Sequence, residues 1–457
     1  MSEKTPEKQA KPQTPDKQEK KTPPAISLSS KGADLTPEFQ QLASENPEIM
    51  KALRKRGREV QGEIEEERTQ AIVKHYKGLK DKFGISIQNP MAGVKSNSVL
   101  TYSIGEMIGH SFAELKGLYP DIDDSRLKRA AIMATVGGFA YATKLVTHEY
   151  GHARAMEEAG GKSKVVFFPE GRIGGVALYT KYPDLMSVAN IIAVTTAGLN
   201  QEEEAAKYGR MKDLRTRKEK ARDPLAELPH AASRLMNKFA TSSYILSGGG
   251  GGDIDNYVAG AQLPGWGPIL VNSLLMSALS GSTIDNARKV AGYLTNPDEE
   301  VKELSLKVGG VEVFLPELSY YMTPAGAFRT AALLADIDNK LIRLEAGTGK
   351  VGQSIEFQIY DVKLGRYVSF SPYAAVSKHK KGKNEIYRAE TNKDRRGWKV
   401  GAEFEVKLAD NATLTGETGY GHHDLMTQYV VPTGSRAIME GMGGDNFYAW
   451  LGITIKR

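Results

Sequence analysis

The stretch THEYGHARAMEEAGGK, residues 147–162, sets His148 and His152 four positions apart, with Glu149 directly after the first. On an α-helix, positions i and i+4 share a face one turn apart, so both imidazoles can reach one ion. Ring nitrogens hold zinc at about 2.0–2.1 Å. Glu149 projects beside them and can take a proton from a zinc-bound water, whose pKa falls to about 7. The chemistry this allows is hydrolysis of a peptide bond, with the carboxylate passing the proton to the leaving amine. The competing reading is two ordinary histidines on a helix. They are two of only eight in the chain, and two imidazoles and a carboxylate on an apolar helix are costly to bury without partners.

The helix itself is predicted independently. Phe139, Ala142, Val146 and Ala153 recur at helical intervals, and Gly160-Gly161 is a C-cap signal. Catalytic zinc takes three protein ligands and keeps a water in the fourth position, so one ligand is still wanted. The chain has no cysteine, which leaves histidine and carboxylates. SGGGGGDIDNY offers Asp253, which follows five glycines and can open a helix, and Asp255. A plain N-cap role competes for Asp253. NQEEEAAKYGR offers Glu202, Glu203 and Glu204, whose other reading is a solvated acidic face pairing with Lys207 and Arg210. His230 in LPHAASRL is a poorer option. His422-His423 in GYGHHD are adjacent and read as a turn or loop tip. The glycine run 248–252 lacks a following GK[ST] and is not a phosphate loop.

HEYGHARAMEEAGGK followed by VVFFPEGRIGGVALY resembles the site-2 protease family of zinc peptidases. That family shows HExGH on an apolar helix, then a short β segment with a Gly-Gly pair, then a helix with an Ala-Gly-Pro…Asn signature. Here SVANIIAVTTAGLNQ supplies Ala197, Gly198 and Asn200, without the proline and with closer spacing. The resemblance implies an aspartate on a later helix as third zinc ligand, which falls on Asp253, although the family's Leu-Asp-Gly wording is absent. It covers about residues 130–260.

At 457 residues, two or three domains are expected. Hydrophobic content of 40% and charged content of 25% are those of a globular chain. The net charge is +6, of which the first 24 residues supply +2, six Lys against Glu3, Glu7, Asp16 and Glu19. No basic, aromatic-interleaved stripe follows, so a nucleic-acid partner is not expected. Residues 1–34 read as a disordered Lys/Pro-rich tail, with no apolar signal-peptide core. Residues 35–97 read as a charged helical segment, with Leu42, Ile49, Leu53, Val60 and Ile64 at helical spacing. Residues 98–305 read as the helical metallopeptidase-like domain. Its uncharged runs, 130–143, 185–201 and 256–284, are short or diluted for a membrane span and fit buried helices or helices at a membrane surface better.

Across 306–457 the period becomes two. In WKVGAEFEVKL, Trp398, Val400, Ala402, Phe404, Val406 and Leu408 share one face, while Lys399, Glu403, Glu405 and Lys407 share the other. SIEFQIYDV, GRYVSFSPYAAV, ATLTGETGYG and NFYAWLGITIKR look alike. About eight antiparallel strands are expected. Tyr367, Tyr373, Trp398, Tyr420, Phe447, Tyr448 and Trp450 could form aromatic girdles. A soluble sandwich shares the alternation; the membrane barrel is the reading taken. The expectation is therefore an α+β chain: a helical zinc-metallopeptidase domain, then an antiparallel β-barrel of outer-membrane type. It would bind Zn2+ through His148, His152 and Asp253, use Glu149 as base on a protein or peptide substrate, and associate with the envelope of a Gram-negative bacterium. The runner-up is an inactive envelope structural or binding protein. Oligomeric state is not legible.

Overall fold

A computed structural model describes residues 84–88, 93–158, 161–167, 175–181, 188–217, 223–247, 252–323, 326–350, 352–379, 395–409, 412–422 and 445–456. The expected tail and most of the expected charged helices lie outside these residues. Within the segment read as helical, Gly84–Gln88 is instead a strand, β1, and helix α1 begins at Gly93. Eight helices are described: α1 (Gly93–Leu118), α2 (Arg126–Glu158), α3 (Val188–Thr216), α4 (Pro224–Lys238), α5 (Ala240–Leu246), α6 (Asp253–Gly260), α7 (Gly267–Leu279) and α8 (Gly281–Thr295). A hairpin of β2 (Lys162–Phe167) and β3 (Gly175–Lys181) separates α2 from α3.

Local chemistry sets several ends. Asp223 caps α4 by accepting from the Leu225 N–H at 2.8 Å, and Pro224 takes the first helical position, where no N–H is needed. α2 stops at Glu158, and the Gly161 N–H returns to the Met156 carbonyl at 2.9 Å. One core joins Ile108 and Phe112 of α1, Ile132 and Val136 of α2, Leu225 and Leu228 of α4 and Tyr293 of α8. A second joins Ile192 and Leu199 of α3, Ile254 and Tyr257 of α6, Ile269 of α7 and Tyr320 and Met322 of the sheet. Among the described residues α2 alone is long and apolar enough in one piece to cross a membrane, with 28% of that stretch buried; α7 and α8 pass the same test only together, bent by 62°.

From Ser305 the chain is strand: β4 (Ser305–Val308), β5 (Val311–Phe314), β6 (Glu317–Thr323), β7 (Gly326–Ile337), β8 (Lys340–Gly349), β9 (Gly352–Ile359), β10 (Val362–Leu364), β11 (Val368–His379), β12 (Arg395–Ala409), β13 (Ala412–His422) and β14 (Asp445–Lys456). Those eleven segments make nine strands, because two strands are broken, against the about eight expected. β5 and β6 lie along successive parts of one edge of β7, and β9 and β10 along one edge of β11. Two-residue turns with positive φ, Gly309-Gly310 and Asp338-Asn339, close the β4–β5 and β7–β8 hairpins. β1 adds to β14, so all twelve strands form one antiparallel sheet with β1 and β4 as edges. These edges do not pair among the described residues, so the strands make an open sheet rather than a closed barrel. Of the expected girdle, Tyr367, Trp398 and Tyr420 are exposed. Tyr373 is not: its ring is buried, and its hydroxyl donates to Glu417 at 2.6 Å. The side chains of Phe447, Tyr448 and Trp450 lie outside the described set.

Candidate metal centre

α2 places His148 and His152 on its face toward α3. The two helices cross where neither has a side chain. A Cβ on Gly151 would stand 2.8 Å from the Ala197 carbonyl oxygen and 3.0 Å from the Gly198 Cα. A Cβ on Gly198 would stand 2.6 Å from His152 Nε2 and 2.8 Å from His148 Nδ1. Such distances are inside van der Waals contact. Both glycines are therefore needed for α3 to form the wall behind the imidazoles. Asn200, two positions past Gly198 on the motif read from sequence, clamps β6: it donates to the Met322 carbonyl at 2.8 Å and accepts from the Met322 N–H at 2.9 Å.

The third group arrives on α6. Asp253 is its first residue, and the N-cap position belongs to Gly252. The Asp253 side chain does not cap the helix but turns to α2. Its Oδ2 lies 3.1 Å from His148 Nε2 and 3.0 Å from His152 Nε2, and the two ring nitrogens lie 3.1 Å apart. Tetrahedral ligands at about 2.0–2.1 Å from zinc stand ~3.3 Å from one another, so the triangle is close to that of a zinc site. Among the described residues this is the only group of three or more such side chains whose donor atoms converge.

Each ring is held from behind. His152 Nδ1 donates to the Val194 carbonyl at 2.7 Å, which fixes the ring with Nε2 turned toward the cluster. His148 Nδ1 lies 3.2 Å from Glu202 Oε1, and that carboxylate is fully buried. Glu149 is buried as well and makes no hydrogen bond among the described residues. Three carboxylates thus crowd two imidazoles, an excess of negative charge that a divalent cation would offset. Burial by itself lowers the pKa of His148, but the Glu202 charge and the hydrogen bonds to Asp253 and Glu202 outweigh it and push the value up to about 10. Burial would raise that of Asp253; the His152 charge and the bonds from both histidines outweigh it and hold the carboxyl far below its ordinary range.

The other candidates go elsewhere. Glu203 pairs with Lys238, and Glu204 with Tyr321 and, at 3.6 Å, with Lys207. Glu202 and Glu203 are buried, so the run is not a solvated acidic face. Asp255 is two residues along α6, outside the convergent triangle. His230 packs its ring on Tyr102, centroids 4.6 Å apart. His422 ends β13, and His423 lies outside the described residues. Glu202, offered as a ligand, instead backs one, and Tyr244, which carries no sequence signal, stacks on the His148 ring at 6.1 Å and 19°. The Tyr244 hydroxyl accepts from the Asp253 N–H at 3.4 Å, and burial and then the Asp253 charge raise its pKa. A Cβ at position 252 would strike that hydroxyl at 2.1 Å, which accounts for the last glycine of the run.

No family model, curated protein or solved structure matches the chain.

Proposed function

We propose that the chain is a zinc-dependent endopeptidase, similar to site-2 proteases in its use of a helix-borne HExGH and an aspartate, acting on a protein or peptide substrate at the cell envelope. The observation that carries this reading is the convergence of three potential ligand atoms within 3.1 Å, next to the buried Glu149 on the same helix. The residues fit the ion: two neutral imidazoles and one carboxylate are a zinc donor set, and both rings are oriented by partners on their far nitrogens. Bound there, zinc supplies Lewis-acid polarisation and acidifies a water to a pKa of about 7. Glu149 takes a proton from the attacking water and returns it to the leaving amine. Tyr244 keeps its hydroxyl proton at neutral pH and offers it as a hydrogen bond to developing negative charge. Purified protein is expected to hold about one zinc per chain and to cleave labelled, unfolded casein. Glu149→Gln keeps the metal and loses cleavage. Full cleavage by that variant, or a folded wild-type protein that takes up no zinc, overturns the proposal.

The sheet supports a finer reading, a barrel filled by its own helix. α3 sends Lys207 to Glu345 on β8 at 2.8 Å, Arg215 to Glu405 on β12 at 3.1 Å, and Arg217 to Glu312 on β5 and Asp336 on β7 at 2.8 Å each. Six neighbouring rows at ~4.8 Å spacing would be ~24 Å wide if flat, about twice the ~10–12 Å diameter of a helix. The strands therefore curl around α3, and closure would bring β4 to β1.

A further inference from the structure

The two faces of the sheet have their polarity reversed relative to a soluble protein. The face toward α3 buries Arg343, Glu345, Gln358 and Glu417. The convex face exposes Leu344 at 46%, Ile355 at 54%, Val376 at 58% and Val400 at 47%. A soluble sandwich puts its apolar face inward and its charges in water. Here the charges are inside and matched, Arg343 with Glu345 at 3.1 Å and Lys399 with Glu356 at 3.0 Å.

Register turns the convex face into a band with a boundary. Arg329, Thr348, Gln353, Lys378 and Arg396 are successive partners across five strands and form one exposed polar row. Four residues along the strands, the partners are Leu333, Leu344, Phe357, Ala374, Val400 and Tyr420. The convex positions beyond that, through Phe370 and Phe404 to Val368, Val406 and Leu414, carry no Asp, Glu, Lys or Arg until Lys340, which sits at the β7–β8 turn. On β12 the apolar positions run from Trp398 to Leu408, ten steps of ~3.3 Å, or ~33 Å along the strand. At a tilt of about 40° that is ~25 Å of height, the apolar band of an outer-membrane barrel.

We propose that the hydrocarbon of a lipid bilayer covers the convex face of β7–β13, with the Arg329–Arg396 row at one membrane surface and the metal centre on the water side of that row. The position of the centre follows from α3. Gly198 lies against the two histidines, and Lys207 meets Glu345, just inside the first apolar row. Nine residues of helix separate them, ~13 Å. The opposite end of α3, through Arg217, meets Asp336 near the far rim. On the peptidase reading, and resting on it, scissile bonds then reach the site from the aqueous phase at the membrane surface. The lipid contact is independent of that reading.

The test uses the full chain, which has no native cysteine. Single-cysteine variants carry a nitroxide in phosphatidylethanolamine–phosphatidylglycerol vesicles, and collision with oxygen is compared with collision with a water-soluble nickel chelate. Leu344→Cys, Phe357→Cys, Val376→Cys and Val400→Cys are expected to show an oxygen-to-nickel ratio several-fold above that of Lys378→Cys and Lys350→Cys. Leu246→Cys, near Tyr244 on the metal-centre side, is expected to match the rim. Nickel accessibility at the band positions overturns the lipid contact, as does protein that stays monomeric in buffer without detergent or vesicles. Spin–spin broadening at the band positions would assign the face to a second copy instead. A lipid-like ratio at Leu246→Cys overturns the position of the metal centre alone, and no outcome depends on catalysis.

Discussion

Gly198→Ala isolates the wall behind the histidines. The added methyl carbon would stand 2.6 Å from His152 Nε2 and 2.8 Å from His148 Nδ1 and Cε1. Comfortable carbon contacts begin at about 3.5 Å, so each ring must withdraw by about 0.7–0.9 Å or α3 must move back. The second escape is opposed by Asn200, which is fixed to Met322. Ring displacement of this size breaks a ligand triangle that spans only 3.1 Å. Zinc affinity is expected to fall about 10–100-fold, the range seen when groups that orient metal ligands are lost. Stability moves less. Overpacking costs about 1–3 kcal/mol, while replacing a helical glycine by alanine returns about 0.5–1 kcal/mol. The net is a destabilisation of ~0–2.5 kcal/mol. Zinc is measured by competition with a chromophoric chelator, and stability by urea unfolding of the metal-free protein. Gly137→Ala on α2 is the control, since nothing lies within 4 Å of its added methyl. It should gain about 0.5–1 kcal/mol and bind zinc normally. If Gly198→Ala binds zinc like the wild type and is stabilised like the control, the glycine is not what lets α3 back the two rings.

Three further outcomes follow. Asp253→Ala should lose tight zinc binding, whereas Asp255→Ala should keep it; Glu203→Ala should also keep it but unfold earlier by about 3–5 kcal/mol in urea, because it leaves buried Lys238 with less opposing charge. At pH 7 the metal-free His148 is protonated, since its pKa is held up to about 10 against an ordinary 6.5, so zinc binding should release about one proton and tighten with rising pH; titration calorimetry in buffers of different ionisation enthalpy reads this. The stability that His148 gives the metal-free fold has the opposite sense: it is complete below pH 6.5 and disappears as the pH rises through about 10. Finally, Leu344→Arg should cost about 2–4 kcal/mol for folding into vesicles, the mid-bilayer cost of an outward arginine, against about 0.5 kcal/mol or less at a water-exposed position.

The parts legible in the sequence are those that local residue types carry. The i, i+4 spacing in HEYGH and the two-residue alternation after residue 305 are statements about one element at a time, and the observed mixture of helices and antiparallel strands follows them. Contacts between distant segments were not legible. GISIQ is five residues long and flanked by charge, yet it becomes a strand because β14 offers an open edge from the other end of the chain. Glu202, Glu203 and Glu204 read as solvated, but their partners, His148, Lys238 and Tyr321, come from α2, α4 and β6. Alternation in WKVGAEFEVKL shows which residues share a face. It does not say which face is inward, and here the charged one is.

α3 explains why the metal centre and the sheet belong to one folding unit. Its first half is small and apolar, VANIIAVTTAGL, and packs on α2 and α6; its second half is charged and can be buried only where acids await it. Arg210 meets Glu317 at 2.7 Å and Asp285 at 3.2 Å, both buried, and Lys207 meets Glu345. Removing the sheet would strand these cations in the interior, at about 3–5 kcal/mol for each broken pair, and would also remove Met322, which holds Asn200 one turn from the cluster. The wall behind the histidines is thus stiffened by contacts made along the length of the same helix. A site that tolerates less than 1 Å of ligand displacement needs such a support, and a helix anchored at both ends supplies it without a loop at the point where precision matters.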